Sequence, residues 1–180
     1  MITYFTFEPE YFNNNGDQGN IEVLLHFLKR SGHKVKRVDS PKGADFVLIG
    51  DGSLAVVEHF AKKLGALRNE IKKRFDAGKP TLVVGSSFEF FAEQLGLSKE
   101  KTSRKSGFVR TAEGYFGYRN SDNNLPEVVV KGSFIATKLF GPVLAKNPQL
   151  LKLQMDALGA EFVLSVELAS WIETIRQKSD

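Results

Sequence analysis

The chain has 180 residues, 42% hydrophobic and 26% charged, which suits a single domain over residues 1–180 with a sizeable core of its own. It has no cysteine, so disulfides, thiolate metal ligands and a cysteine nucleophile are excluded. Its net charge of +4 is modest, and its bases fall on polar helix faces ("KKLGALRNEIKKRF", 62–75) or in one loop ("KEKTSRK", 99–105) without interleaved aromatics, so nucleic acid is not expected as a partner.

The opening "MITYFTFEPE" lacks the basic and small-residue pattern of a signal peptide, and no apolar run approaches the roughly 20 residues that cross a bilayer. A cytoplasmic protein with no membrane partner is expected. "ITYFTF" reads as a strand, "NNNGDQGN" as a tight polar turn, and Ile21, Leu24, Leu25 and Leu28 as the apolar stripe of a helix ending at Gly32. "HKVKRVD" alternates toward a second strand. "ADFVLIG" (44–50) is a continuous apolar run of the kind that a strand buried on both faces requires. From Leu54 to Phe75, the residues Val57, Phe60, Leu64, Leu67 and Ile71 mark one long helix, stopped by Gly78 and Pro80 before the strand "TLVVG".

In the second half, "GFVRT", "EGYFGYR", "PEVVVKG" and "SFIATKLFG" are short runs between turn residues, which suggests antiparallel strands. Two helices close the chain. The first has Asn147 as N-cap with Pro148 at its first position, and the second spans about Glu161 to Lys178 with Leu168, Trp171 and Ile175 inward. The expected fold is α/β, a flavodoxin-like three-layer sandwich with a mainly parallel sheet and antiparallel strands in the C-terminal half.

Three places have the local form of a chemical site. In the turn, Gly16 and Gly19 tolerate positive φ, and Asn15, Asp17 or Asn20 can accept from the first amides of the helix, leaving donors for an anion. A well-capped helix with nothing bound explains the same residues. In "PTLVVGSSFEFF" (80–91) a buried strand turns at Gly85 into a helix, the setting of a nucleophile elbow, but glycine supplies no nucleophile. In "ATKLFGPVLAKNP" a strand end that could project a base offers Phe140 instead.

Together, in order, "NGDQGNIEVLLHFLKRSG", "VLIGDGS", "PTLVVGSSFEFF", "GYRNS" and "ATKLFGPVLAKNP" resemble the CobB/CobQ-like class I glutamine amidotransferase family. The resemblance is greatest to its GatD branch, the glutaminase subunits of the MurT/GatD lipid II isoglutaminyl synthase. It implies a sheet carrying a cysteine and a histidine that hydrolyse glutamine and pass ammonia to a synthetase. Where the family's elbow reads like "CGGYQ", this chain has Gly85, Ser86, Ser87, Phe88 and Glu89. Where its histidine strand reads like "YLHGPLL", this chain has Phe140, and its "GFENH" segment appears here as "GYRNS", with Arg119 and Ser121 at the glutamate and histidine positions.

Relocated chemistry would need a serine with a base in reach. Ser86 and Ser87 lie past the corner, "GSSFE" is not a G-x-S-x-G elbow, and His26, His33 and His59 fall on other elements. Glu8, Glu10, Asp17 and Asp51 show no metal-ligand spacing, and no metal or cofactor is expected. The leading expectation is a catalytically degenerate glutamine amidotransferase-like protein, a binding or partner subunit of a Mur-ligase-like synthetase. Its candidate pocket comprises Asn15, Gly16, Asp17, Gly19, Asn20, Gly85, Ser86, Ser87, Arg119 and Phe140. The alternatives are an active glutaminase subunit supplying ammonia for a cell-wall or cobyrinate-type substrate, and a small-ligand-binding module.

Overall fold

A computed structural model describes residues 1–179. Its main sheet has six strands in the order β2-β1-β3-β4-β8-β7: β1 (Ile2–Thr6), β2 (Val35–Arg37), β3 (Phe46–Ile49), β4 (Thr81–Val84), β8 (Phe134–Thr137) and β7 (Val128–Lys131). All neighbours are parallel except β7 and β8. A second, antiparallel sheet joins β5 (Lys101–Arg110), β6 (Phe116–Asn123) and β9 (Leu139–Phe140).

The central strands divide their side chains between two cores, because successive residues of a strand point to opposite faces. Phe46, Leu48, Leu82 and Val84 pack on one side against α1 (Gly19–Arg30), α5 (Val143–Lys146) and α6 (Pro148–Ala157). Val47, Ile49 and Val83 pack on the other against α2 (Leu54–Ala66), α3 (Arg68–Asp76) and α4 (Ser86–Phe91). The unbroken apolar runs of β3 and β4 follow from burial on both faces, and the outcome is an α/β three-layer sandwich.

Several expectations are corrected. The single helix over 54–75 is two helices, parted where the Leu67 N–H bonds to Leu64 O at 2.9 Å, a three-residue span. Phe60 and Leu64 of the first helix and Ile71 of the second pack in the same core. Arg74 does not lie on a solvated face. It is buried, and its guanidinium donates to Thr81 Oγ1 (2.9 Å), Ala44 O (2.8 Å) and Pro80 O (2.7 Å). The "KEKTSRK" loop is mostly the first half of strand β5, which is exposed on both faces over residues 101–106 and so left no apolar alternation to read there. "SFIAT" is not simply antiparallel: β8 pairs parallel with β4 and antiparallel with β7, and all four of its residues are buried.

The chain closes in three helices. Asn147 does stand before Pro148, but it makes no side-chain cap. Its amide instead accepts from the Phe116 N–H (2.7 Å) and donates to Phe116 O and Val143 O (both 2.9 Å), sewing β6 to α5. The last helix, α7, runs Val166–Ser179, later than expected, and Trp171 and Ile175 are 64% and 54% exposed rather than inward. Its buried anchor is Arg176, which donates through Nε to Lys146 O at 3.0 Å and through Nη2 to Asn147 Oδ1 at 3.2 Å. A helix end offers unpaired carbonyls, and a guanidinium that takes one can be drawn inward ahead of an apolar neighbour.

Candidate functional site

The C-terminal ends of parallel strands leave their loops on one edge of the sheet, where an open α/β fold forms its crevice. Here the loop after β1, the "GDG" after β3, the corner after β4 and the end of β9 converge. Gly85 turns the chain from β4 into α4 with φ +58° and ψ −122°, a region that disfavours any side chain. A Cβ added there would clash with the Asp51 carboxylate and lie 2.7 Å from Phe140 Cε1. Gly85 and Phe140 are thus neighbours, with Asp51 between them and the turn.

Asp51 ties the pieces together. Its Oδ1 accepts the Ser86 N–H at 2.8 Å, and its Oδ2 accepts from Asn14 Nδ2 (3.2 Å) and Asn15 Nδ2 (2.9 Å). An elbow's oxyanion donors are the N–H after the corner and one from the loop after a neighbouring strand. In this chain the first is held by Asp51. A β3-loop N–H, that of Gly52, is held by Ser86 Oγ at 3.0 Å. Ser87, fully buried, donates to Gly50 O at 2.7 Å.

The turn is placed by these contacts and not by helix capping, contrary to expectation. Gln18 stands at the cap of α1 without a side-chain bond, and Asn13 Oδ1 accepts the Gln18 N–H at 2.9 Å. Asp17 is buried, and its Oδ2 accepts the Asp51 N–H at 3.2 Å while Oδ1 has no partner. Burial, opposed by that N–H and reinforced by the Asp51 carboxylate, pushes the Asp17 carboxyl up to about 7. Asn20 donates to Gly141 O (3.2 Å) and accepts the Leu144 N–H (2.8 Å), pinning the turn after Phe140 to the start of α1. Gly19 packs against Pro142, and Gly16 takes φ +76° in the open part of the turn.

Arg119 is not brought to the corner. Tyr118 pairs with Phe140 while Arg119 pairs with Leu139, so the Arg119 side chain leaves from the opposite face and forms an ion pair with Glu127. His26 and His59 are exposed on α1 and α2, and His33 is half-buried ahead of β2. Sequence reasoning gave no role at the corner to Asp51 or Lys146. The Lys146 amine donates to Phe140 O at 2.9 Å, and burial lowers its pKa against the pull of Asp17. The "GDG" between a buried strand and a helix was the available signal for Asp51. Beside Ser86 a cleft of about 410 Å³ opens, lined by Leu54, Phe90, Lys99, Arg104, Ser121 and Asp122. Among the described residues no metal-binding group of His, Asp and Glu forms, and no helix is long and apolar enough to cross a membrane.

No protein-family model matches the sequence. The subunit GatD of lipid II isoglutaminyl synthase (glutamine-hydrolysing) from Staphylococcus aureus (strain N315) is 24% identical over 196 residues, covering 83% of this chain and 81% of that protein. A crystal structure of a glutamine amidotransferase from Thermotoga maritima superposes with a TM-score of 0.50 at 13% identity, over 99% of this chain and 91% of that one. Another glutamine amidotransferase structure gives 0.50 at 17% identity, over 87% and 99%. The fold is that of the class I glutamine amidotransferases, and the sequence is distantly similar to GatD.

Proposed function

We propose that this protein is a glutamine amidotransferase-like subunit that does not hydrolyse glutamine and acts by binding, with a Mur-ligase-like synthetase as its partner. The carrying observation is the Gly85 corner. The side-chain space of position 85 is taken by the Asp51 carboxylate and the Phe140 ring, and the histidines stand on α1, ahead of β2 and on α2, not on the strand end at Phe140. Covalent hydrolysis needs a nucleophile and a base within hydrogen-bond reach, and Ser86 and Ser87 use their hydroxyls on Gly52 and Gly50. The distant likeness to GatD supports a synthetase as the partner, and the retained scaffold supports docking as the role.

Two measurements test this. The purified chain incubated with glutamine is expected to release no ammonia above background, and release that disappears in Ser86→Ala or Ser87→Ala would overturn the non-catalytic reading. Co-expression with the Mur-ligase-like protein encoded in the same genome is expected to give a complex on size exclusion, and separate elution of the two would remove the partner.

A small-ligand role has one observation in its favour: the cleft beside Ser86 is lined by two ion pairs, Lys99 with Glu89 and Arg104 with Asp122, together with Asn120 and Ser121, a lining suited to a small polar molecule. Calorimetric titration with glutamine and with small anions distinguishes it, because heat of binding without ammonia release would favour this reading.

A further inference from the structure

Glycine at a strained corner has a ready explanation in the backbone alone, since φ +58° disfavours a side chain. The surroundings of Gly85 say more. The carboxylate of Asp51 lies along the direction a Cβ would take, and it is fixed there by three donors: the Ser86 N–H at 2.8 Å, Asn15 Nδ2 at 2.9 Å and Asn14 Nδ2 at 3.2 Å. Asp51 is only 5% exposed, and its main chain is held as well, with Asn14 N donating to Asp51 O at 3.1 Å and Asp51 N to Asp17 Oδ2 at 3.2 Å. A buried carboxylate with this many donors is held in place, because turning away would break all three hydrogen bonds and leave its charge in the protein without partners.

We propose that Asp51 is an internal ligand that closes this corner: its carboxylate occupies both the side-chain space of position 85 and the Ser86 N–H, so positions 51 and 85 form one interlocked pair. Asp51 acts here as a positioning residue. The inference goes beyond the absence of a nucleophile, because it assigns the closed state to a residue outside the corner. It stands or falls independently of glutamine hydrolysis or partner binding, neither of which enters its test.

The first test is a double-mutant cycle. Gly85→Ala is introduced into the natural chain and into Asp51→Gly, and the melting temperatures are compared. Backbone strain at φ +58° and the 2.7 Å approach of Phe140 are present in both backgrounds and cancel. Gly85→Ala is expected to lower Tm by about 10 °C in the natural chain and by less than half of that in Asp51→Gly. Equal losses would overturn the proposal, as would failure of Gly85→Ala to fold in both backgrounds, since strain alone would then govern the site. Folding only in the Asp51→Gly background is the strongest form of the expected result.

The second test reads the charge and leaves the shape alone. Cysteine is absent from the chain, so Gly85→Cys supplies its sole thiol. A neighbouring carboxylate disfavours the thiolate, which is the reactive form. Iodoacetamide at pH 7 is expected to alkylate Gly85→Cys/Asp51→Asn about tenfold faster than Gly85→Cys alone, with the pH profile displaced to lower pH. Coincident profiles would show that the Asp51 carboxylate does not face position 85, and the proposal would be lost.

Discussion

Asp17 shows how the turn "NNNGDQGN" holds a proton. Its carboxyl is raised by burial from 3.8 to about 7, so the folded protein holds a proton that the unfolded chain has already released at neutral pH. The stabilisation from that proton is complete below about pH 4 and is lost as pH rises through about 7, with a slope of at most about 1.4 kcal/mol per pH unit. Asp17→Asn cannot titrate, so its stability relative to the natural chain should rise between pH 4 and pH 7 and then level off. Urea denaturation at each pH measures this, and a difference independent of pH would show that Asp17 is not perturbed. At the corner, Gly85→Cys with Phe140→His should stay far below a working glutaminase. The Ser86 N–H and Gly52 N–H are already taken, and loss of one oxyanion donor alone costs about a hundredfold to a thousandfold in rate. Turnover of roughly one to ten per second would show that the pocket is intact.

At the scale of elements, the ends and turns decide more than the apolar stripes. The β7–β8 hairpin turns through Gly132 and Ser133, and Gly132, at φ +57°, sits against the Gly78 turn that ends α3. A Cβ on Gly132 would lie 2.9 Å from Gly78 Cα and from Gly78 O, which is backbone and cannot step aside. Gly132→Ala therefore meets both strain and a clash, and it should lower Tm by about 6–12 °C, equivalent to about 3 kcal/mol. A change under about 2 °C would mean that the two turns separate freely. The last helix gives the opposite lesson. Arg176→Met removes the bonds from α7 to Lys146 O and Asn147 Oδ1 and should raise amide exchange along α7 about tenfold or more. Trp171→Ala, at a position 64% exposed, should move Tm by no more than about 2 °C. The reverse order of effects would restore the apolar-stripe account of α7.

Across the whole molecule, the two sheets share a core: Leu139 of β9 packs in the same cluster as Leu82 and Val84 of β4, with Val109 of β5 against it. We expect residues 1–180 to unfold as one unit, with calorimetric and van't Hoff enthalpies equal, whereas a separate early transition would divide the small sheet from the large one. The sequence by itself determined the layer order. A strand buried on both faces must read as an unbroken apolar run, and "ADFVLIG" and "TLVVG" do; helices that cover such a sheet must carry one apolar stripe, and α1 does. It also marked Gly85 and Phe140 as strand-end positions without reactive side chains, since residue type alone decides that. What only the tertiary structure decided lies where one residue has several physical options. Asn147 could cap a helix or bind a strand, Arg74 could meet water or the backbone oxygens of Ala44 and Pro80, and Asp51 could face solvent or fill the corner at Gly85. A polar side chain has no preferred partner until the fold brings donors to it, because each choice satisfies the same hydrogen bonds locally and only burial makes one of them costly to lose.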